Sequence, residues 1–311
     1  LAKTHEIAVW ASKTDLAARL LDEGVPVTRI EDGFLRSSGL GAALTPALSL
    51  CRDDVGIYFD PGAPSRLEQL IANSPRLSPA QHRRAARLQS EIIAFGISKY
   101  NLRSALPVQR RNTNGAILVP GQVEDDASIR LGTGPIATNA AMLRHVRECR
   151  PHSQLIYKPH PDVAAGLRKG RVPDAVLAEC GAETCKEADP AMALEEVSEV
   201  WTMTSLLGFE ALLRGLPVTC LGLPFYAGWG LTRDHMPPPP RRQVPDVTLT
   251  GLIHATLIDY PIYRAPGKMP AISPETTLRH LSEPGQRTGA SQGWRAHLQH
   301  RFSPTARKAR L

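Results

Sequence analysis

The chain has 311 residues, 42% hydrophobic and 22% charged, a balance that excludes a disordered or fibrous protein and is enough for two globular domains. No uncharged apolar run reaches the roughly 20 residues needed to span a bilayer, and the N-terminal residues lack the basic start, apolar stretch and cleavage site of a secretory leader. The net charge of +7 is concentrated at one end: residues 284–311 hold six basic residues and no acid, so the remainder carries only +1, which argues against a nucleic-acid binder.

In chain order, Ile7–Trp10 reads as a strand, Thr14–Glu23 as a helix and Val25–Ile30 as a second strand running into Glu31-Asp32-Gly33. Two apolar runs, 47–51 and 55–59, flank an Asp53-Asp54 turn. Ser78-Pro79 has the form of an N-cap followed by proline, opening a helix to about Ile97. The polar stretch 109–115 predicts a domain junction. After it the pattern restarts: strand 116–119, helix 139–149, strand 154–157, strand 199–203, helix 206–214 and a buried strand ending at Leu221. The proline run 237–240 breaks regular structure, and 247–258 predicts one more helix packing back across the junction. The alternation predicts an α/β protein of two Rossmann-like domains facing a cleft, with residues 1–112 forming the first and 113–240 the second. Residues 241–283 form a C-terminal helical segment, and 284–311 a basic tail that reads as a solvated, disordered end or, alternatively, a contact for anionic lipid. Five cysteines without a Cys-x-x-Cys pair suit a reducing, cytoplasmic compartment, and no metal-ligand set is visible.

Ligands of open α/β sheets bind beyond the carboxyl ends of the strands. There the sequence places Glu31-Asp32-Gly33, Pro120-to-Ser128, Lys158-Pro-His-Pro161 and Thr204-Ser205. Thr204 and Ser205, at a strand-to-helix turn, offer hydroxyls and unpaired N–H groups to a phosphate. Lys158 and His160 can neutralise a phosphate and donate a proton to it. Each has a plainer reading: an N-capped helix, a surface loop, an Asp-Gly turn, a solvated acidic loop.

Glu210-Ala-Leu-Leu-Arg-Gly-Leu-Pro-Val218 resembles a stretch of GT-B-fold glycosyltransferases in which the Glu holds a nucleotide ribose. Glu31-Asp-Gly-Phe-Leu-Arg-Ser37, Leu118-to-Ile129, Tyr157-to-Val163 and Pro224-to-Thr232 resemble the capsule-polysaccharide β-Kdo transferases, most closely one catalytic module of KpsC-type proteins. Gly56-to-Asp60 and Ser98-to-Asn101 extend the resemblance over residues 8–280, and Pro120-Gly-Gln-Val123 is nearer to the 2,7-linking module. Ala11 stands where the family pattern has Gly, and the linker after Asn101 differs from that pattern.

The resemblance implies a CMP-β-Kdo donor, a Kdo-terminated glycolipid acceptor and retention at the anomeric carbon without a metal or other cofactor. Retention by double displacement needs a carboxylate nucleophile and an acid/base group. The resemblance assigns these to Asp126, with Asp125 as rival, and to Glu31. It implies Lys158, His160, Pro161, Thr204, Ser205 and Glu210 around the nucleotide, and Gln122, Arg36 and Arg130 around the sugar and its carboxylate. The aromatic stretch 225–230 either stacks sugars or packs internally. Transfer at the inner face of the cytoplasmic membrane, with other capsule assembly proteins, follows from the same likeness. Transfer of another CMP-activated ulosonic acid such as sialic acid, or a non-catalytic polysaccharide-binding or export module, are the alternatives.

Overall fold

The computed structural model describes residues 6–37, 46–99, 115–185, 189–264 and 271–282. The expected junction, apart from Gly115, and the basic tail lie outside them.

The first half is built on a four-stranded sheet. Strand β1 (Ile7–Trp10) leads through helix α1 (Thr14–Asp22) to the parallel β2 (Val27–Asp32). Strand β3 (Ser49–Asp53) then runs antiparallel to β2, so this sheet is mixed rather than parallel throughout. The arms beyond the two strands stay paired, with Gly33 N–H donating to Ser49 O at 2.9 Å and Leu48 N–H to Arg36 O at 2.7 Å. Gly33 serves this approach rather than a tight turn, since a Cβ there would lie 2.2 Å from Ser49 Oγ.

Residues 55–59 form no strand. The buried Asp53 gathers them instead: Oδ1 accepts from the N–H groups of Val55, Gly56 and Arg66, the last opening helix α2 (Arg66–Asn73). Helix α3 (Pro79–Ala94) starts at the expected Ser78 cap, a full capping box with Gln81. It ends before Ile97 because Gly96 adopts φ 60° and turns the chain out of the helix.

The second half is a six-stranded sheet, all parallel. Its elements are β4 (Ile117–Pro120), α4 (Ala127–Gly132), α5 (Asn139–Cys149), β5 (Leu155–Lys158), α6 (Pro161–Ala164), α7 (Asp174–Glu179), β6 (Ala182–Thr184), α8 (Pro190–Glu195), β7 (Glu199–Thr202), α9 (Leu206–Leu213), β8 (Val218–Cys220) and β9 (Arg233–Asp234). β4 is a continuous apolar run and both β4 and β5 are buried along their whole length, as strands of a parallel sheet covered on both faces are.

The chain then crosses back. Helix α10 (Leu249–Ile253) packs on α3 and continues as a π-helical turn, His254–Asp259, rather than as the unbroken α-helix that the pattern predicts. The wider turn sets His254 Nδ1 2.9 Å from Asp259 Oδ2, and Tyr260 donates to Asp53 at 2.9 Å. Strand β10 (Pro261–Tyr263) closes the first sheet beside β3, and α11 (Pro274–Ser282) packs on α3. One apolar core joins the halves, running from Leu67, Leu88 and Ile92 to Val200, Phe209 and Leu252. The fold is a GT-B-like pair of Rossmann-like units with C-terminal elements packed back on the first.

Candidate active site

Between the two sheets lies a cavity of about 370 Å³. Its lining includes Glu31, Asp32, Tyr58 and Lys99 from the first half, and Gln122, Asp126, Lys158, His160, Pro161, Thr204, Ser205 and Glu210 from the second. The four segments that the sequence singles out therefore converge on one place. Phe34, Tyr58 and Phe225 form its apolar part, with Phe34 5.0 Å from each of the other two rings.

Glu31, the last residue but one of β2, stands at the cavity wall, with Oε1 accepting from Asp32 N–H at 3.0 Å. Burial raises its pKa, opposed by that hydrogen bond and by the charge of Lys99. The acidic triplet facing it divides into three roles. Glu124 accepts from Asn139 N–H at the start of α5, and Asp125 turns to Arg168 at 2.9 Å, which holds its carboxyl below the usual range. Asp126 lines the cavity and caps α4, with Oδ2 accepting from Ser128 N–H and Oγ at 3.2 and 2.7 Å. The cap fixes this carboxylate and uses only one of its oxygens.

Lys158 ends β5 and His160 follows two residues on. Burial lowers the Lys158 pKa and, first among several causes, that of His160. His160 Nδ1 accepts from Asp162 N–H at 3.2 Å, so the neutral ring carries its proton on Nε2. Ser205 caps α9 through Leu207 N–H, and Gln122 braces the same turn, with Oε1 accepting from Thr204 N–H at 3.0 Å and Nε2 donating to Thr204 Oγ1 at 2.9 Å. Glu210, on the next turn of α9, accepts from Lys99 N–H at 2.9 Å through Oε1, while its buried Oε2 has no partner among the described residues. Desolvation pushes its pKa up to about 7.

Some expected contacts are placed elsewhere. Arg36 is buried and ion-paired to Asp32, Arg130 is exposed on α4, and neither is among the lining residues. Gln122 lines the cavity but spends its amide on Thr202 and Thr204. In the aromatic stretch, Tyr226 and Trp229 are core, with hydrogen bonds to Ser205 O and Phe225 O, so internal packing is correct for both; Phe225 alone of the three reaches the cavity. Lys99 and Asn139 are the residues that sequence reasoning passes over. Asn139 is 1% exposed and holds the 120–126 loop through Gln122 N–H and Gln122 O, tying it to Gly170, whose carbonyl accepts from the same amide. In the sequence it looks like one more residue beside a helix cap. Lys99 lies in the Ser98-to-Asn101 match, which carried no role. Among the described residues no His, Cys, Asp or Glu cluster is arranged to hold a metal ion.

Two Rossmann-like units face a cleft, with carboxylates on both walls and a lysine, a histidine and a capped helix start on one, and this is the architecture of the GT-B-like class. The chain belongs to the capsule polysaccharide biosynthesis protein family, which its residues 7–103 and 92–263 match. It is 44% identical over 282 residues to the capsule polysaccharide modification protein LipA of Neisseria meningitidis serogroup B, covering 90% of this chain and 40% of LipA. Over 266 residues it is 44% identical to the lipopolysaccharide-processing protein LpsZ of Rhizobium meliloti, covering 84% of this chain and 60% of LpsZ. The chain thus spans less than two thirds of either relative. Two solved structures of Thermosulfurimonas dismutans KpsC superimpose on it. The β-Kdo 2,7 transferase is 35% identical with a TM-score of 0.73, covering 90% of this chain and 86% of that one. The β-Kdo 2,4 transferase is 32% identical with a TM-score of 0.79, covering 89% and 86%. Identity favours the first and backbone agreement the second.

Proposed function

We propose that this chain is a retaining β-Kdo transferase, moving Kdo from CMP-β-Kdo to a Kdo-terminated glycolipid during synthesis of a capsule polysaccharide linker. The observation that carries this reading is the presence of Glu31 and Asp126, from different halves, on the wall of one cavity whose second-half side also presents Lys158, His160 and the start of α9. The likeness to two Kdo transferases of known structure supports the choice of sugar.

In this mechanism Asp126 attacks the anomeric carbon as the bond to the CMP phosphate oxygen breaks, giving a glycosyl ester and free CMP. The cap on Oδ2 holds the nucleophile still and leaves Oδ1 to attack. Lys158 and the Nε2–H of His160 meet the charge that collects on the departing phosphate, and the Ser205 turn adds hydrogen-bond donors. Glu210 Oε2 accepts from the ribose hydroxyls. Glu31 then takes the proton of the acceptor hydroxyl as that oxygen attacks the anomeric carbon and the Asp126 ester bond breaks. Two inversions give net retention. These groups supply the chemistry without a resident cofactor.

No helix among the described residues is long and apolar enough to cross a membrane. We place the reaction at the inner face of the cytoplasmic membrane, where such an acceptor would be met. The test is incubation with CMP-Kdo and a soluble Kdo-terminated acceptor, followed by NMR of the product. A new β-linked Kdo supports the proposal, and its linkage position separates 4- from 7-hydroxyl transfer. Transfer of sialic acid in its place, or binding without turnover, contradicts it.

A further inference from the structure

The proposed donor carries two anionic groups, a phosphate and a carboxylate attached directly to the anomeric carbon. The cleft has to meet both, and it does so with carboxylates of its own close by. Among the described residues, the basic side chains on its walls are Lys99, Lys158, His160 and Arg168. Arg168 is engaged by Asp125 at 2.9 Å in a half-exposed pair at the rim. Lys158 and His160 stand together at the end of β5 on the second half, where the mechanism places the phosphate. Arg36, the expected carboxylate partner from the first half, is tied to Asp32 and is not itself among the lining residues.

Lys99 is placed differently from all of these. It reaches the cavity from the segment after α3, and its backbone is held from both halves: its N–H donates to Glu210 on α9 at 2.9 Å, and its carbonyl accepts from Ser37 N–H at 3.4 Å. The preceding Ile97 and Ser98 are buried, and Ile97 O accepts from Arg214 at 3.3 Å, so the root of the side chain is fixed. The Lys99 charge works against the rise that burial gives the Glu31 and Glu210 carboxyls and adds to the fall that burial gives His160. Lys99 shares the cavity wall with Glu31, Asp126, His160 and Glu210, and so belongs to the space between the proposed acid/base and the proposed nucleotide subsite.

We propose that Lys99 is the donor-binding residue that holds the sugar carboxylate, fixing the anomeric carbon between Asp126 and Glu31. This rests on the ulosonate-donor reading of the cleft. A carboxylate on the anomeric carbon and a cation rooted at a fixed point together set the sugar's register, which selects for acidic sugars over neutral ones.

The test is titration calorimetry of the full chain with CMP and with CMP-Kdo, together with steady-state CMP release, for wild type, Lys99→Met, Lys99→Gln and Lys99→Arg. CMP has the phosphate and lacks the carboxylate, and its binding also reports that each variant is folded. The expected result is that Lys99→Met and Lys99→Gln weaken CMP-Kdo by about tenfold or more and CMP by less than about twofold, with KM rising more than kcat falls and Lys99→Arg recovering most of the loss. Equal weakening of both ligands would make Lys99 a phosphate contact and overturn the proposal, as would unchanged CMP-Kdo affinity. Wild type that binds CMP but not CMP-Kdo would overturn the donor reading itself, and this proposal with it.

Discussion

Glu210 shows how one buried oxygen can be both a cost and a tool. With its pKa pushed to about 7, the folded state holds a proton that the unfolded chain releases near 4.5. Its contribution to stability is present below 4.5 and is lost as pH rises to about 7, at most roughly 3 kcal/mol. Urea denaturation should therefore find Glu210→Gln close to wild type at pH 4.5 and more stable at pH 8, while calorimetry finds its CMP affinity reduced. Equal stability at both pH values would remove the desolvation argument. Glu31, whose pKa burial also raises, should place the acid limb of kcat/KM above the ordinary carboxylate range. The Glu31→Gln enzyme should lose that limb along with most acceptor transfer, while its CMP binding stays near wild type. At His160, Gln retains a donor in place of Nε2–H and Ala does not. We predict roughly a hundredfold loss of kcat for His160→Ala and a smaller one for His160→Gln.

At the scale of elements, α9 is positioned by the close approach of Gly208 to Tyr226. A Cβ on Gly208 would lie 2.2 Å from Tyr226 Oη, whose hydrogen bond to Ser205 O holds the turn at the proposed phosphate side of the cleft. Gly208→Ala should cost about 1–3 kcal/mol and weaken CMP, and Tyr226→Phe in the same chain should recover part of the loss; a double-mutant cycle reads the coupling. Additive effects would contradict it. Such contacts explain which parts of the fold were legible in the sequence. Helices α3, α5 and α9 start at Ser78, Thr138 and Ser205, all local signals, and the expected starts match. The antiparallel turn of β3 and the π-helical stretch depend on Ser49 meeting Gly33 and on Tyr260 meeting Asp53, partners 16 and 207 residues apart. No local pattern encodes such pairs. The site was legible where motifs end strands, as at Glu31, Asp126 and His160. It was not legible for Lys99 and Asn139, whose roles come from neighbours distant in sequence, nor for the placing of Arg36 and Arg130.

For the whole molecule, the halves are fastened at two levels. Phe34 and Tyr58 pack against Phe225, tilted and edge-on respectively, and Glu68 on α2 binds Arg241 and the fully buried Arg242, which also donates to the carbonyls of Pro224 and Ala227. Glu68→Gln strips the carboxylate from a buried guanidinium and should cost about 3–5 kcal/mol, measured by denaturant unfolding, with a single transition because the core is shared. Two separate transitions would contradict the shared core. That fastening keeps Glu31 of one half facing the proposed nucleotide side of the other, and the proposed chemistry depends on it. Intact-protein mass spectrometry after incubation with CMP-Kdo, beside Asp126→Asn and a CMP-sialic acid control, tests the account most directly. Asn preserves the α4 cap, so the variant should remain folded. The account predicts a Kdo-sized adduct on the wild type with CMP-Kdo alone and none on Asp126→Asn. An Asp126→Asn chain that transfers Kdo to the acceptor at the wild-type rate would contradict it.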